Sequence, residues 1–168
     1  MEAFADWLAT TAASAVIQQT LWLIPLMQTV HIIFIALVFS SVVMIEFRIL
    51  GVTKSQTIEQ TVHRFLPWIF AGVVVLAATG SVLIIGEPKR SLPSFEFQMK
   101  MLFLAIALAL TFLFARSVRH HAAVWTGTGG TADHANGRMT VNALALVALA
   151  AWGLVVVYGR LIAYTVQH

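Results

Sequence analysis

The chain has 168 residues, of which 60% are hydrophobic and only 10% charged, with a mean hydropathy of +0.88. Soluble domains run at about 25% charged residues, so this apolar excess exceeds what the core of so short a chain can absorb and must face lipid. Ten Lys and Arg against seven acids, with no cysteine, exclude a nucleic-acid module, a disordered tail and a disulfide-stapled secreted scaffold.

The first element is weak. Residues 3–18 place Phe4, Trp7 and Leu8 among alanines, which predicts a short helix lying on the membrane surface. Glu2 and Asp6 stand where a cleaved signal peptide carries basic residues. Four apolar runs follow, at 23–45, 65–86, 99–115 and 141–164. About 20 residues of helix cross a hydrocarbon layer of about 30 Å. The runs are apolar on every face, which excludes the period-two strands of a membrane barrel. The expected fold is all-α: one domain over 1–168, an integral membrane four-helix bundle preceded by a short interfacial helix.

Lys and Arg set the orientation. Arg48, Lys54, Arg64, Arg116, Arg119 and Arg138 collect on the side reached after spans one and three. Lys89 and Arg90 lie on the other side, with Lys100 and Arg160 at its border. In a bacterial inner membrane this places both termini in the periplasm. Trp22 and Tyr164 suit one interface and Trp68 the other, whereas Trp152 falls mid-span, where its indole N–H needs a partner or a polar interior. The segment WTGTGGTADHANG at 125–137 is polar and lacks the lysine of a phosphate-binding loop. No internal repeat aligns spans one and two with three and four, which argues against an inverted-repeat transporter.

Ionisable residues within spans are functional candidates because burying them is expensive. His31 lies eight residues into span one, roughly 12 Å deep at 1.5 Å per residue. A neutral buried imidazole there is either a metal or haem-iron ligand or a hydrogen bond between helices. Gln28, one turn earlier, is the neighbour on its own helix able to bond the ring. Lys100 and Arg160 enter from the same side, either snorkelling to the interface or holding an anionic group such as haem propionates or a quinone head. Tyr158 could close such a pocket. Glu46 and Arg48 end span one, with Glu46 expected to pair with Arg64 or Arg116. His63 entering span two, with His120 or His121 leaving span three, forms an alternative bis-histidine haem site beside a possible kink at Pro67. His120, His121, Asp133 and His134 could instead form a surface metal site, or be ordinary solvated side chains. Gly72, Ala77, Gly80, Ala150 and Gly153 permit close helix approach, or leave room for a flat macrocycle.

The runs WLIPLMQTVHIIFIALVFSSVVMIEFRILG, LPWIFAGVVVLAATGSVLIIGEP, FEFQMKMLFLAIAL and AWGLVVVYGRLIAY resemble a family of uncharacterised bacterial four-helix membrane proteins, a domain of unknown function, over nearly the whole chain. The marks of the resemblance are Trp22 to Pro25, His31, Arg48 with Leu50 and Gly51, Thr79 and Gly80, Lys100, and Gly159 with Arg160. Glu46 stands where members often carry aspartate, and His63, His120 and His121 fall outside the pattern. The resemblance implies the four-helix fold and directs attention to His31, Lys100 and Arg160. In size and topology it is also broadly similar to small b-type membrane cytochromes, an analogy at the level of fold alone.

The leading expectation is a haem-b electron-transfer protein, an oxidoreductase-type membrane cytochrome if it is an enzyme. It would exchange electrons with a quinol or a periplasmic redox partner, as a homo-oligomer or complex subunit. His31 would be an axial ligand, Lys100 and Arg160 would meet the propionates, and His63 with His120 or His121 is the fallback pair. The rival is a cofactor-free structural or accessory subunit. A small-solute channel or transporter ranks lower, because few polar residues could line a path.

Overall fold

The computed structural model describes residues 2–53, 56–120 and 133–162, with backbone alone over 117–120 and 133–141. Every regular element among the described residues is helical. Two short helices, α1 (Glu2–Ala9) and α2 (Ala12–Gln19), precede α3 (Leu23–Ile49) and α4 (Ile58–Gly86). A single turn, α5 (Pro88–Ser91), then leads to α6 (Phe95–His120) and α7 (Asp133–Leu161). The four long helices each contain a stretch long and apolar enough to cross a membrane.

The N-terminal helix expected over 3–18 is two helices. Thr11 adopts an extended conformation, and its hydroxyl accepts from the Ser14 N–H, capping α2. A β-hydroxyl that bonds nearby backbone favours caps over helix interiors. Neither helix merely rests on a surface. Ala5 and Ser14 are buried, Lys89 pairs with Asp6 at 2.9 Å, and the Gln18 amide donates to the Gly86 carbonyl at 3.0 Å. Phe4, Trp7 and Val16 remain exposed, an apolar face of the kind that an interfacial helix lays against lipid.

The long helices outrun their apolar cores. The span expected to end at residue 45 continues to Ile49, because charged residues end the apolar run without ending backbone pairing. Its stop is a Schellman motif: Val52 N–H bonds the Phe47 carbonyl, Gly51 N–H bonds that of Arg48, and Gly51 takes φ +78°. The missing Cβ of glycine makes that left-handed turn cheap. The Arg48 side chain closes the corner by donating from Nε to the Gln56 carbonyl. α4 starts seven residues before the expected 65, at a capping box in which Thr57 and Gln60 exchange side-chain and backbone hydrogen bonds. It then runs unbroken through Pro67.

Packing groups the long helices as two close pairs, α3 with α4 and α6 with α7, joined mainly through α3 and α7. α4 and α6 touch only lightly. α3 contributes Val38, Val42, Ile45 and Ile49, a stripe on one helical face. α7 answers with Ala145, Ala148, Trp152 and Val155. Among the small residues expected to mediate contact, Gly72 does so: a Cβ built there would lie 2.4 Å from the Val38 Cγ2. Ala77 and Ala150 are exposed instead, and the close-approach positions of α7 are Ala145, Ala148 and Ala151. Gly153 has nothing within 4 Å of its built Cβ. Gly153→Ala is therefore expected to leave packing intact and raise stability by about 0.5–1 kcal/mol through helix propensity. Thermal unfolding in detergent micelles measures it, and a lower midpoint would contradict the open geometry.

Candidate functional site

His31 and Thr79 sit at matching depths in antiparallel helices, eight residues after the start of α3 and seven before the end of α4. Their side chains meet, with His31 Nδ1 2.7 Å from Thr79 Oγ1. The same hydroxyl lies 2.8 Å from the Val75 carbonyl, to which it donates its one hydrogen. With that hydrogen so used, the oxygen accepts from an Nδ1–H, the tautomer in which Nε2 keeps an unshared lone pair. Gln28, the expected local partner, is exposed and plays no part. A residue on the neighbouring helix holds the ring instead.

The other two long helices reach the same place. Lys100, half-buried on α6, is close enough for its ammonium charge to act on the His31 ring. Its stem crosses α7 at Gly159, where a built Cβ would lie 3.7–3.8 Å from Cδ, Cε and Nζ. On α4, a Cβ built at Gly80 would lie 3.5 Å from His31 Cε1, so the edge of the ring rests beside that backbone. One turn beyond Lys100, Phe103 stacks on Tyr158 at 5.6 Å with ring planes 20° apart. His31, Thr79, Gly80, Lys100 and Gly159 thus bring one residue or more from each long helix to a single level of the bundle.

Arg160 is exposed on α7 beyond Gly159, and His63 is exposed near the start of α4. The side chain of His120 and all of His121 lie outside the described residues, as do Tyr164 and the side chain of His134. Among the described residues, no cluster of three or more His, Cys, Asp or Glu could hold a metal ion. Of the glycines expected to make room for a macrocycle, Gly72 is filled by Val38, Gly80 is in ordinary contact with the His31 ring, and Gly153 is open.

Trp152 finds the partner its mid-span position demands, donating from Nε1 to Thr111 Oγ1 at 3.2 Å. Glu46 does not. Among the described residues the ion pairs are Asp6–Lys89 and Glu87–Arg90. Arg64 and Arg116 are exposed, with the Arg64 guanidinium 5.7 Å from the centre of the Phe65 ring. Rotation about the helix axes points both cations outward and Glu46 inward, so the expected ion pair is absent.

Sequence reasoning missed Thr79 and Thr111 as hydrogen-bond partners. Depth matching was the available signal: each is a hydroxyl at the level of the lone imidazole or indole on another span. Comparison of the chain with known protein families, curated proteins and solved structures returns no match.

Proposed function

We propose that this chain is a membrane haem-b protein of the electron-transfer class, in which His31 would hold the haem iron through Nε2. The supporting observation is the hydrogen bond from His31 Nδ1 to Thr79 Oγ1. A ligating histidine typically donates its second ring nitrogen to a fixed partner, which sets the tautomer and the ring orientation. Lys100 would supply a cation within electrostatic reach of the ring, suited to a propionate. His31 would supply one ring nitrogen to the iron and Lys100 one cation to an anionic substituent. When bound, haem b supplies one-electron exchange between a quinol or periplasmic donor and an acceptor. The chain's own task would be to hold the imidazole oriented through Thr79.

In this reading the chain lies in a bacterial cytoplasmic membrane with both termini in the periplasm, as the Lys and Arg distribution favours. Exposed apolar residues such as Phe70 and Phe112 face lipid, further copies or other subunits. A second reading draws on the same hydrogen bond. His31 and Thr79 then act only as a polar clasp between α3 and α4 in a cofactor-free accessory subunit.

Absorption spectra separate the two. The full chain, purified in detergent from haem-replete cells, is expected to show a Soret band and, after dithionite, a sharp α-band. His31→Ala abolishes or shifts these features, whereas His63→Ala leaves them unchanged. A colourless preparation without iron, or an unaltered spectrum in the His31 variant, sinks the haem assignment.

A further inference from the structure

The Glu46 carboxyl lies near the opposite end of α3 from His31, 15 residues and about 22 Å along the helix. It is 5% exposed, and its Oε2 has no hydrogen-bond partner. It borders a cavity of about 10 Å³ among α3, α4 and α6, walled by Val42, Val62, Leu66, Ile69 and Phe114. Among the described residues, Thr111 is the only other polar side chain on that wall.

No charge compensates Glu46 from any described helix packed around it. Arg48, on its own helix, is bonded to the Gln56 carbonyl. Glu59, His63 and Arg64 of α4 and Arg116 of α6 are all exposed, and none lines the cavity. An ionised carboxylate with no counter-ion and a bare oxygen is costly among apolar walls, whereas a neutral acid needs one acceptor for its O–H. The cavity is at the threshold of room for one water. Thr111 can complete the water's bonding. Its hydroxyl donates to the Ala107 carbonyl at 2.8 Å and accepts from Trp152 Nε1, which leaves one lone pair to accept from a water.

We propose that Glu46 is a proton-binding site: a neutral carboxyl that donates to a single water bridging it to Thr111, and exchanges its proton through that water. The exchange moves no electrons. The carboxyl O–H breaks as the water takes the proton, the water passes a proton on to solvent, and the reverse path reloads the carboxylate. One hydroxyl and one carboxyl are too few oxygens for a metal cation, which seeks six or more ligands if it is calcium and octahedral oxygen coordination if it is magnesium. The site stands independently of the haem assignment, since neither Glu46 nor its cavity lining includes a residue of the His31 group.

Infrared spectroscopy of the full chain in detergent micelles at neutral pH tests it. The expected spectrum contains a carboxylic C=O stretch above the amide I band, which moves to lower frequency in D2O. Glu46→Gln removes the band while circular dichroism stays helical, and Glu46→Asp keeps it at an altered frequency. If Glu46→Gln fails to fold, the band shift in Glu46→Asp carries the assignment. Persistence of the wild-type band in folded Glu46→Gln or an identical band in Glu46→Asp would overturn the proposal. So would its absence from the wild type, or a band that does not respond to D2O.

Discussion

Thr79→Val is expected to destabilise the bundle by about 1–3 kcal/mol, the usual cost of leaving a buried donor without an acceptor. Valine keeps the shape of threonine and removes only the oxygen that receives the His31 Nδ1–H. Thr79→Ser keeps that oxygen and should lie close to wild type. Unfolding in mixed micelles gives both values, and a cycle with His31→Phe isolates the pair, with an expected coupling of about 0.5–3 kcal/mol. If His31 ligates haem, loss of its hydrogen-bonded partner should also weaken haem retention by about 10–100-fold. Wild-type stability and wild-type haem retention in Thr79→Val together would show that the hydroxyl does not set the ring.

Gly72→Ala should produce a loss of similar size for a steric reason. Its new methyl would meet the Val38 Cγ2 at 2.4 Å, and Val38 is completely buried. A β-branched side chain in a helix has one strongly preferred rotamer, so the contact cannot relax by a cheap rotation. Overpacking of this kind costs about 1–3 kcal/mol, against which alanine recovers up to about 1 kcal/mol of helix propensity. The net expectation is a destabilisation of about 1–2 kcal/mol. It has a signature that poor folding in general lacks. Val38→Ala, harmful alone because it opens a cavity, should relieve the Gly72→Ala variant. Additive losses in the double variant would mean that α3 and α4 do not meet at this point. The expected gain in Gly153→Ala is the counterpart, with the same substitution in open space and the opposite sign.

Both predictions rest on residues whose importance was only partly legible beforehand. His31 stood out because an imidazole inside an apolar run must be satisfied by something. Helical spacing is the only geometry a single span reveals, and it points one turn away, to Gln28. The true partner, Thr79, is 48 positions distant and becomes a neighbour only when α3 and α4 pack. Glu46 is the converse. Pairing with Arg64 or Arg116 was a reasonable expectation from their shared membrane level, yet level fixes only one coordinate. The angle about each helix axis fixes the other, and it turns the cations outward. The convergence of His31, Thr79, Gly80, Lys100 and Gly159 shows the middle case. Every one was marked by resemblance, but nothing in the order of the chain says that they share one level.

Four apolar helices were readable from composition and run length, since the need to satisfy every backbone group in lipid leaves a long apolar segment little choice but helix. Their ends were less readable. Hydropathy marks where lipid stops, whereas Thr57 and Gly51 mark where the helices start and stop, by local hydrogen bonding that extends beyond the apolar run. The pairing of α3 with α4, the bond that leaves His31 Nε2 its lone pair, and the enclosure of an unpaired Glu46 oxygen belong to the packed bundle alone. Each depends on how far one helix is rotated against another. That rotation is decided by the interlocking of side chains such as Val38 against Gly72, a contact between residues that no local pattern joins.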